Sequence, residues 1–417
     1  MTAGPDPIRL TDLAVPVFSA DVEAIFDVMG TMAHGLRLDS DQLHAMACEQ
    51  AGGLSDFGPR DYTERLDILL GAMRGIDGLT PAGLLNLHTQ VLQMLKNRLL
   101  LVELLAREPG IAELELRPPL IIAGLPRTGT THLHNLLSAG PVFRSLPYWE
   151  SVEPFPVAAE AGTTEPRRER TSQAIWFADE AMPYFKRMHE MTTDHVHEEI
   201  QLLANDFSTM FFETIAEVPV WRDHYLASDQ TPHYAHLRLQ LKAAQHLRER
   251  ELGARRWLLK SPQHLEQLPV LAEVFPGAAV VVTHRDPVAV VVSMATMAVY
   301  TTRMHRSPVP VQRIASYWAD RIEAMLGTLV ATRDVQPADR SLDVRFDDFM
   351  ADDLATARTA YALAGEQVTE AAEAAMAAYR AGHQRDRHGR IDYSAADIGL
   401  DAEELRGRFA AYTARFL

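Results

Sequence analysis

The stretch that decides the fold is Leu120-Ile121-Ile122-Ala123-Gly124-Leu125-Pro126-Arg127-Thr128-Gly129-Thr130-Thr131. Its first residues are apolar without alternation, which predicts a strand buried on both faces, as in a parallel sheet. Gly124 and Gly129 bound a tight loop, and Thr130 opens a helix expected to reach Ser138. Strand, glycine-bounded loop and helix together make a phosphate-binding loop, in which backbone N–H groups and the helix N-terminus favour an anion. Arg127 adds a permanent charge and a planar fork suited to phosphate or sulfate oxygens. Thr130, however, stands where a nucleotide hydrolase carries its phosphate-contacting Lys. No acidic strand end supplies a magnesium ligand either, since Val280-Val281-Val282-Thr283-His284-Arg285-Asp286 ends in a basic pair before its Asp. A P-loop kinase or hydrolase is therefore the weaker alternative. A non-catalytic nucleotide-binding protein of the same fold is a third.

Strand signals return at residues 257–260 and 278–283, separated by a helical stretch at 263–275, and a further helix is expected over 287–302. This is a βαβ alternation and predicts an α/β class: a P-loop-like parallel sheet flanked by helices. A late strand is expected at 343–346, with helices at 351–363 and 370–381. Leucines recurring over residues 84–107 give a helical period, so residues 1–117 read as a helical accessory region. The core spans 118–350 and carries a helical acceptor-site insertion at about 160–253. A helical closing segment occupies 351–417, including one acidic helix from Asp401 to Phe416.

Composition narrows the classes of function. The 417 residues are 47 % hydrophobic and 23 % charged, ordinary for a globular protein, and the formal net charge of −16 argues against a nucleic-acid partner. Cys48 is the sole cysteine, which excludes a disulfide framework and a thiolate metal site and predicts a reducing compartment. No leader pattern and no membrane-spanning run are read from the sequence, so a cytoplasmic protein without a transmembrane segment is expected. Self-association into a homo-oligomer is left open. Among forty basic residues only four are lysines, and Lys260 stands out by following an apolar strand.

Three ordered stretches, PRTGTT at 126–131, LLKSPQHL at 258–265 and THRDPVAVVVSM at 283–294, resemble the sulfotransferase family, in its bacterial branch with an arginine in the sulfate-binding loop. The resemblance runs from about 118 to 350, and the closing HGRIDYSAADIGLDAEELRGRFAAY is similar to the same branch. It implies transfer of a sulfuryl group from 3′-phosphoadenosine 5′-phosphosulfate to a hydroxyl or amine of a small-molecule or lipid-like acceptor, with no metal required. It further implies that Arg127, Thr128, Gly129, Thr130 and Thr131 hold the phosphosulfate, and that Arg285 and Ser293 hold the 3′-phosphate. Better-known cytosolic members carry Lys at the position of Arg127. Arg stabilises charge there but is a poorer proton donor.

Sulfuryl transfer needs cations at the leaving phosphate and a base for the acceptor proton. Arg127 and then Lys260 are the candidate cations. The resemblance makes Glu150 the leading base, with Glu153 as an alternative, and a carboxylate in that role needs an apolar setting such as Tyr148 and Trp149. A rival base is His195, in Thr193-Asp194-His195-Val196-His197-Glu198-Glu199. That cluster is not expected to bind metal, because its histidines lack the helical i, i+4 spacing of HExxH. Arg385, Arg387, His388 and Arg390 form a basic patch that folding could return to the 3′-phosphate.

Overall fold

In the computed structural model, which describes residues 5–384 and 386–417, Leu120–Gly124 (β1) is the central strand of a parallel sheet. The other strands are Phe143–Arg144 (β2), Arg256–Ser261 (β5), Ala279–His284 (β6) and Ser341–Arg345 (β7), in the order β2-β5-β1-β6-β7. Leu146–Pro147 (β3) and Val196–His197 (β4) form a separate antiparallel pair. The protein is a mixed α/β fold.

Side-chain alternation along β1 assigns the two faces. Ile121 and Ala123 join Leu259, Val280 and Val282 in the larger core, under the helices Pro287–Thr302 and Val311–Thr332. Leu120 and Ile122 join Leu258 and Val281 on the other face, under helix Thr130–Ser138 and against Ala357, Ala360, Tyr361, Ala372 and Met376. Burial on both sides explains why these strands read as unbroken apolar runs. The N-terminal helices build a further core around Leu66, Leu70, Val91 and Leu95, closed by Phe207, Phe212 and Trp221 of the insertion.

Several expected elements differ in detail. Residues 263–275 divide into a 3-10 turn, Pro262–Glu266, and a helix, Leu268–Val274. The acidic C-terminal helix is two, Ala402–Arg408 and Ala410–Phe416. Helix Val311–Thr332 was not foreseen, nor was the two-residue β2. Strand order reverses beside β1: the chain leaves it for β2 and β5 on one side, then crosses to β6 on the other. Ligands of open α/β sheets bind at the carboxyl ends of strands at such a switch point. No helix among the described residues is long and apolar enough to cross a membrane.

Candidate active site

The loop after β1 turns twice through the left-handed region, at Arg127 (φ 71°) and at Gly129 (φ 86°). A non-glycine residue pays roughly 1–2 kcal/mol for that conformation, so Arg127 is held by the surrounding fold. Arg285 Nη1 donates to the Arg127 carbonyl at 2.5 Å. Gly124 has no room for a side chain, because a Cβ there would lie 1.9 Å from Thr283 Oγ1. Thr283 Oγ1 in turn shares a 2.7 Å hydrogen bond with Thr128 Oγ1, which also bonds the Leu125 carbonyl at 2.7 Å. Thr128 is therefore buried, its hydroxyl engaged within the turn rather than on the cavity wall. Gly129 caps helix Thr130–Ser138, whose first turn presents N–H groups without intrahelical partners.

A cavity of about 1520 Å³ opens on this loop. Arg127, Gly129, Thr130 and Thr131 line one part of it, together with Arg285 and Ser293 from the segment after β6. Arg127 donates from Nε to Ser293 Oγ at 3.1 Å and from Nη1 to the Met188 carbonyl. The Arg285 guanidinium lies 4.2 Å from the centre of the Phe346 ring. Met182, Phe185, Met188, Ile200, Phe211 and Met297 add an apolar lining to the same cavity. Six of the seven residues expected at the donor thus surround one space, from two distant parts of the chain.

Lys260 ends β5 and enters the same cavity. Its ammonium is paired with Glu198 and stands 3.5 Å from Thr131 Oγ1. The next residue turns inward: Glu199 is 1 % exposed, accepts the Lys260 backbone N–H at 2.9 Å and meets His264 Nε2 at 2.5 Å. His264 Nδ1 continues to the Tyr234 hydroxyl at 2.9 Å. Burial opposes ionisation of Glu199, but the His264 charge and these hydrogen bonds outweigh it and hold its carboxyl below the ordinary value. This buried chain fixes β5 beneath Lys260, so His264 is a support rather than a cleft residue.

Glu150 is elsewhere. It is 1 % exposed and is absent from the cavity wall. Arg144 Nη2 holds one carboxylate oxygen at 2.8 Å and Arg248 Nη1 the other at 3.0 Å. Both arginines also lie over indoles, Arg144 over Trp257 and Arg248 over Trp149. The aromatic setting expected to make Glu150 basic instead surrounds a double ion pair. Glu153, the alternative, is bidentate with Arg170.

His195 stands beside the cavity rather than on its wall, where His189 and His197 do lie. The reason is local. The segment is a strand, β4, paired with β3 in the register Leu146↔His197. His197 is the last residue of β4 and His195 lies in the bend just before it, its carbonyl held by the Tyr148 N–H, and His195 Nε2 is 3.0 Å from His197 Nδ1. Burial, followed by neighbouring positive charge, pushes the imidazoles of His189 and His197 well below their usual value, and burial lowers His195 too. Contrary to the expectation of no metal-ligand set, one atom from each of the three lies within 4.8 Å of the others. His189 was not singled out in the sequence. Its only signal is a third imidazole shortly before the pair.

The C-terminal segment does return to the cleft. Arg390 lines it, while Arg387 and His388 are tied to Glu190. Arg385 lies outside the described residues.

A family model described as "Sulfotransferase family" matches residues 118–370. The chain belongs to the sulfotransferase family. Among solved structures it is similar to the sulfotransferase STF1 from Mycobacterium tuberculosis H37Rv, with 29 % identity and a TM-score of 0.76 over 89 % of this chain and 98 % of that one. The sulfotransferase STF9 from Mycobacterium avium shares the fold at 22 % identity, with a TM-score of 0.80 over 92 % and 97 % of the two chains. A comparison with curated proteins found no match. Family membership makes this chain a transferase of sulfuryl groups.

Proposed function

We propose that this sulfotransferase moves a sulfuryl group from 3′-phosphoadenosine 5′-phosphosulfate to a hydroxyl, or an amine, of an apolar small-molecule or lipid-like acceptor. The observation that carries the reading is the sharing of one cavity by the anion loop, by Arg285 and Ser293, and by the Lys260–Glu198 pair. The residues present fit the donor. A turn with two left-handed positions, a helix N-terminus and Arg127 suit the phosphosulfate. Arg285 and Ser293 suit a second phosphate on the far side of the loop.

In this reading Glu198, not Glu150, takes the acceptor proton, because it is the carboxylate beside Lys260 on the cavity wall. The acceptor oxygen attacks sulfur in line with the bridging oxygen, and a new S–O bond forms as the old one breaks. Adenosine 3′,5′-bisphosphate leaves, its developing charge met by Arg127 and Lys260. The apolar wall of Met182, Phe185, Phe211 and Met297 favours an acceptor with a sizeable hydrocarbon body. Cys48 as sole cysteine supports a reducing, cytoplasmic setting.

Titration calorimetry with adenosine 3′,5′-bisphosphate tests the donor. The compound binds without magnesium, and adenosine 5′-phosphate, which lacks the 3′-phosphate, binds at least about tenfold more weakly. Equal affinity for both compounds, or a requirement for magnesium, sinks the assignment and favours the kinase reading.

A further inference from the structure

We propose that His189, His195 and His197 form a binding site for one divalent transition-metal ion of the zinc class, open on its remaining side to the acceptor part of the cavity. Three imidazoles with an open fourth position are an established donor set for such an ion. The potential ligand atoms already lie within 4.8 Å of one another. His197 ends β4 and His195 lies in the bend just before it, placed by the β3–β4 ladder and by a 3.0 Å bond from the Tyr148 N–H to the His195 carbonyl. His189 arrives from the insertion, its own N–H anchored on the Phe185 carbonyl at 2.7 Å.

A second observation is the environment of His195. Its Nδ1 lies 2.7 Å from the Thr192 carbonyl and 3.2 Å from the Thr192 N–H, and in the tautomer that carries the ring proton there it donates to the carbonyl. In that tautomer Nε2 is the lone-pair nitrogen, 3.0 Å from His197 Nδ1. A ring N–H given to a backbone carbonyl is the outer-shell contact that orients metal-bound histidines. Without an ion, the His197 Nδ1–H can serve the same lone pair. With one, both nitrogens turn to the metal.

Nearby charge is mixed: Lys260 and Arg127 both act on His189, and carboxylates offset part of that field. The Lys260 ammonium is neutralised by Glu198, and Glu190 adjoins His189 in sequence while pairing with Arg387 and His388. Because His189 and His197 line the cavity, an ion between them is reachable by a bound molecule. An oxygen of the acceptor is the suitable further ligand. That last role rests on the sulfotransferase reading, whereas binding of the ion does not. The ion's donors are three imidazoles rather than the oxygen ligands that suit magnesium, so it is not the magnesium of a nucleotide hydrolase.

The test uses the full chain, dialysed against chelator and titrated with cobalt(II) and zinc(II). Wild type takes up one equivalent of cobalt(II), with the intense visible bands of a four-coordinate site, and zinc(II) displaces it. His189→Gln and His197→Gln each weaken binding by at least about tenfold, with unchanged circular dichroism, while His34→Gln, at an exposed position, binds as wild type. No stoichiometric uptake, or equal uptake by wild type and both variants, overturns the site. Should the variants not fold, wild type still decides: zinc(II) protects His189, His195 and His197 from diethylpyrocarbonate, mapped by mass spectrometry. Equal modification with and without zinc(II) overturns the proposal. Adenosine 3′,5′-bisphosphate affinity, read on the same preparations, reports the donor site separately.

Discussion

Arg127 Nε donates to Ser293 Oγ across 3.1 Å, so the loop after β1 and the helix after β6 are joined by two residues expected to meet different phosphates of one donor. Ser293→Ala removes that link and a donor to the 3′-phosphate. Its expected effect is a drop of about tenfold in affinity for adenosine 3′,5′-bisphosphate, since a hydrogen bond to a charged group is worth roughly 1.5 kcal/mol or more. Adenosine 5′-phosphate binding should stay within about twofold. Calorimetry with both ligands checks this, and parallel losses would count against the 3′-phosphate assignment.

The pairing of Glu198 with Lys260 separates chemistry from binding. Glu198→Gln is expected to lower kcat by about 10²–10⁴-fold, the usual range for a lost proton acceptor. The affinity for adenosine 3′,5′-bisphosphate should change little. Single-turnover transfer of labelled sulfate measures the first and calorimetry the second. A variant as fast as wild type would exclude Glu198 as the base.

Glu150 should behave in the opposite way. Glu150→Ala leaves Arg144, with a side chain 2 % exposed, without its carboxylate. Breaking a buried pair in this manner costs about 3–5 kcal/mol. The expected result is a large fall in the urea midpoint. Catalysis by the fraction that stays folded, normalised to active-site titration, should remain near wild type. A stable but inactive Glu150→Ala would restore this residue to the chemistry.

Buried imidazoles predict acid sensitivity. Burial holds His134 down to about 3 and His305 to about 4, against an ordinary value of 6.5. The unfolded chain then takes up protons before the folded one as pH falls. Stability is complete above pH 6.5 and declines as pH drops toward 4 and 3. By pH 5.5 each group is expected to cost about 1.4 kcal/mol. Urea unfolding at pH 7 and 5.5 should show the lower midpoint at the lower pH, and a smaller difference in His134→Gln. A midpoint that rises on acidification would contradict the sign.

The sequence was most legible where structure is local. The run from Leu120 to Ser138 sets strand, turn and helix by its own residues, and Arg285 and Ser293 follow from the end of β6 and the helix after it. It was least legible where partners come from far away. Nothing near Glu150 announces Arg248, on a helix almost a hundred residues later, so the ion pairs that surround this acid are not readable from its own segment. In the histidine segment helical spacing does not apply, because Val196–His197 pairs with Leu146–Pro147 and the bend before it sets His195 beside His197. Thr128 looked like its neighbours Thr130 and Thr131, and only the approach of Thr283 turns it inward. Helix Val311–Thr332 was legible and overlooked: Ile314, Trp318, Ile322, Met325 and Leu329 recur at helical intervals and are all buried.

The β3–β4 ladder is two residues long on each strand, and β4 has no place in the five-stranded sheet. The insertion that carries His189, His197 and Glu198 is therefore attached to the scaffold by side chains and a short ribbon, whereas Arg127 and Arg285 stand at the ends of β1 and β6. Changes of sequence within residues 160–253 that spare Met188 and Glu199, which hold Arg127 and β5, are expected to reshape one wall of the cavity and leave strand register beneath the other. In evolutionary terms, such a division lets a lineage exchange one reactant while keeping the second, and the same seam marks where a designer would graft a new insertion.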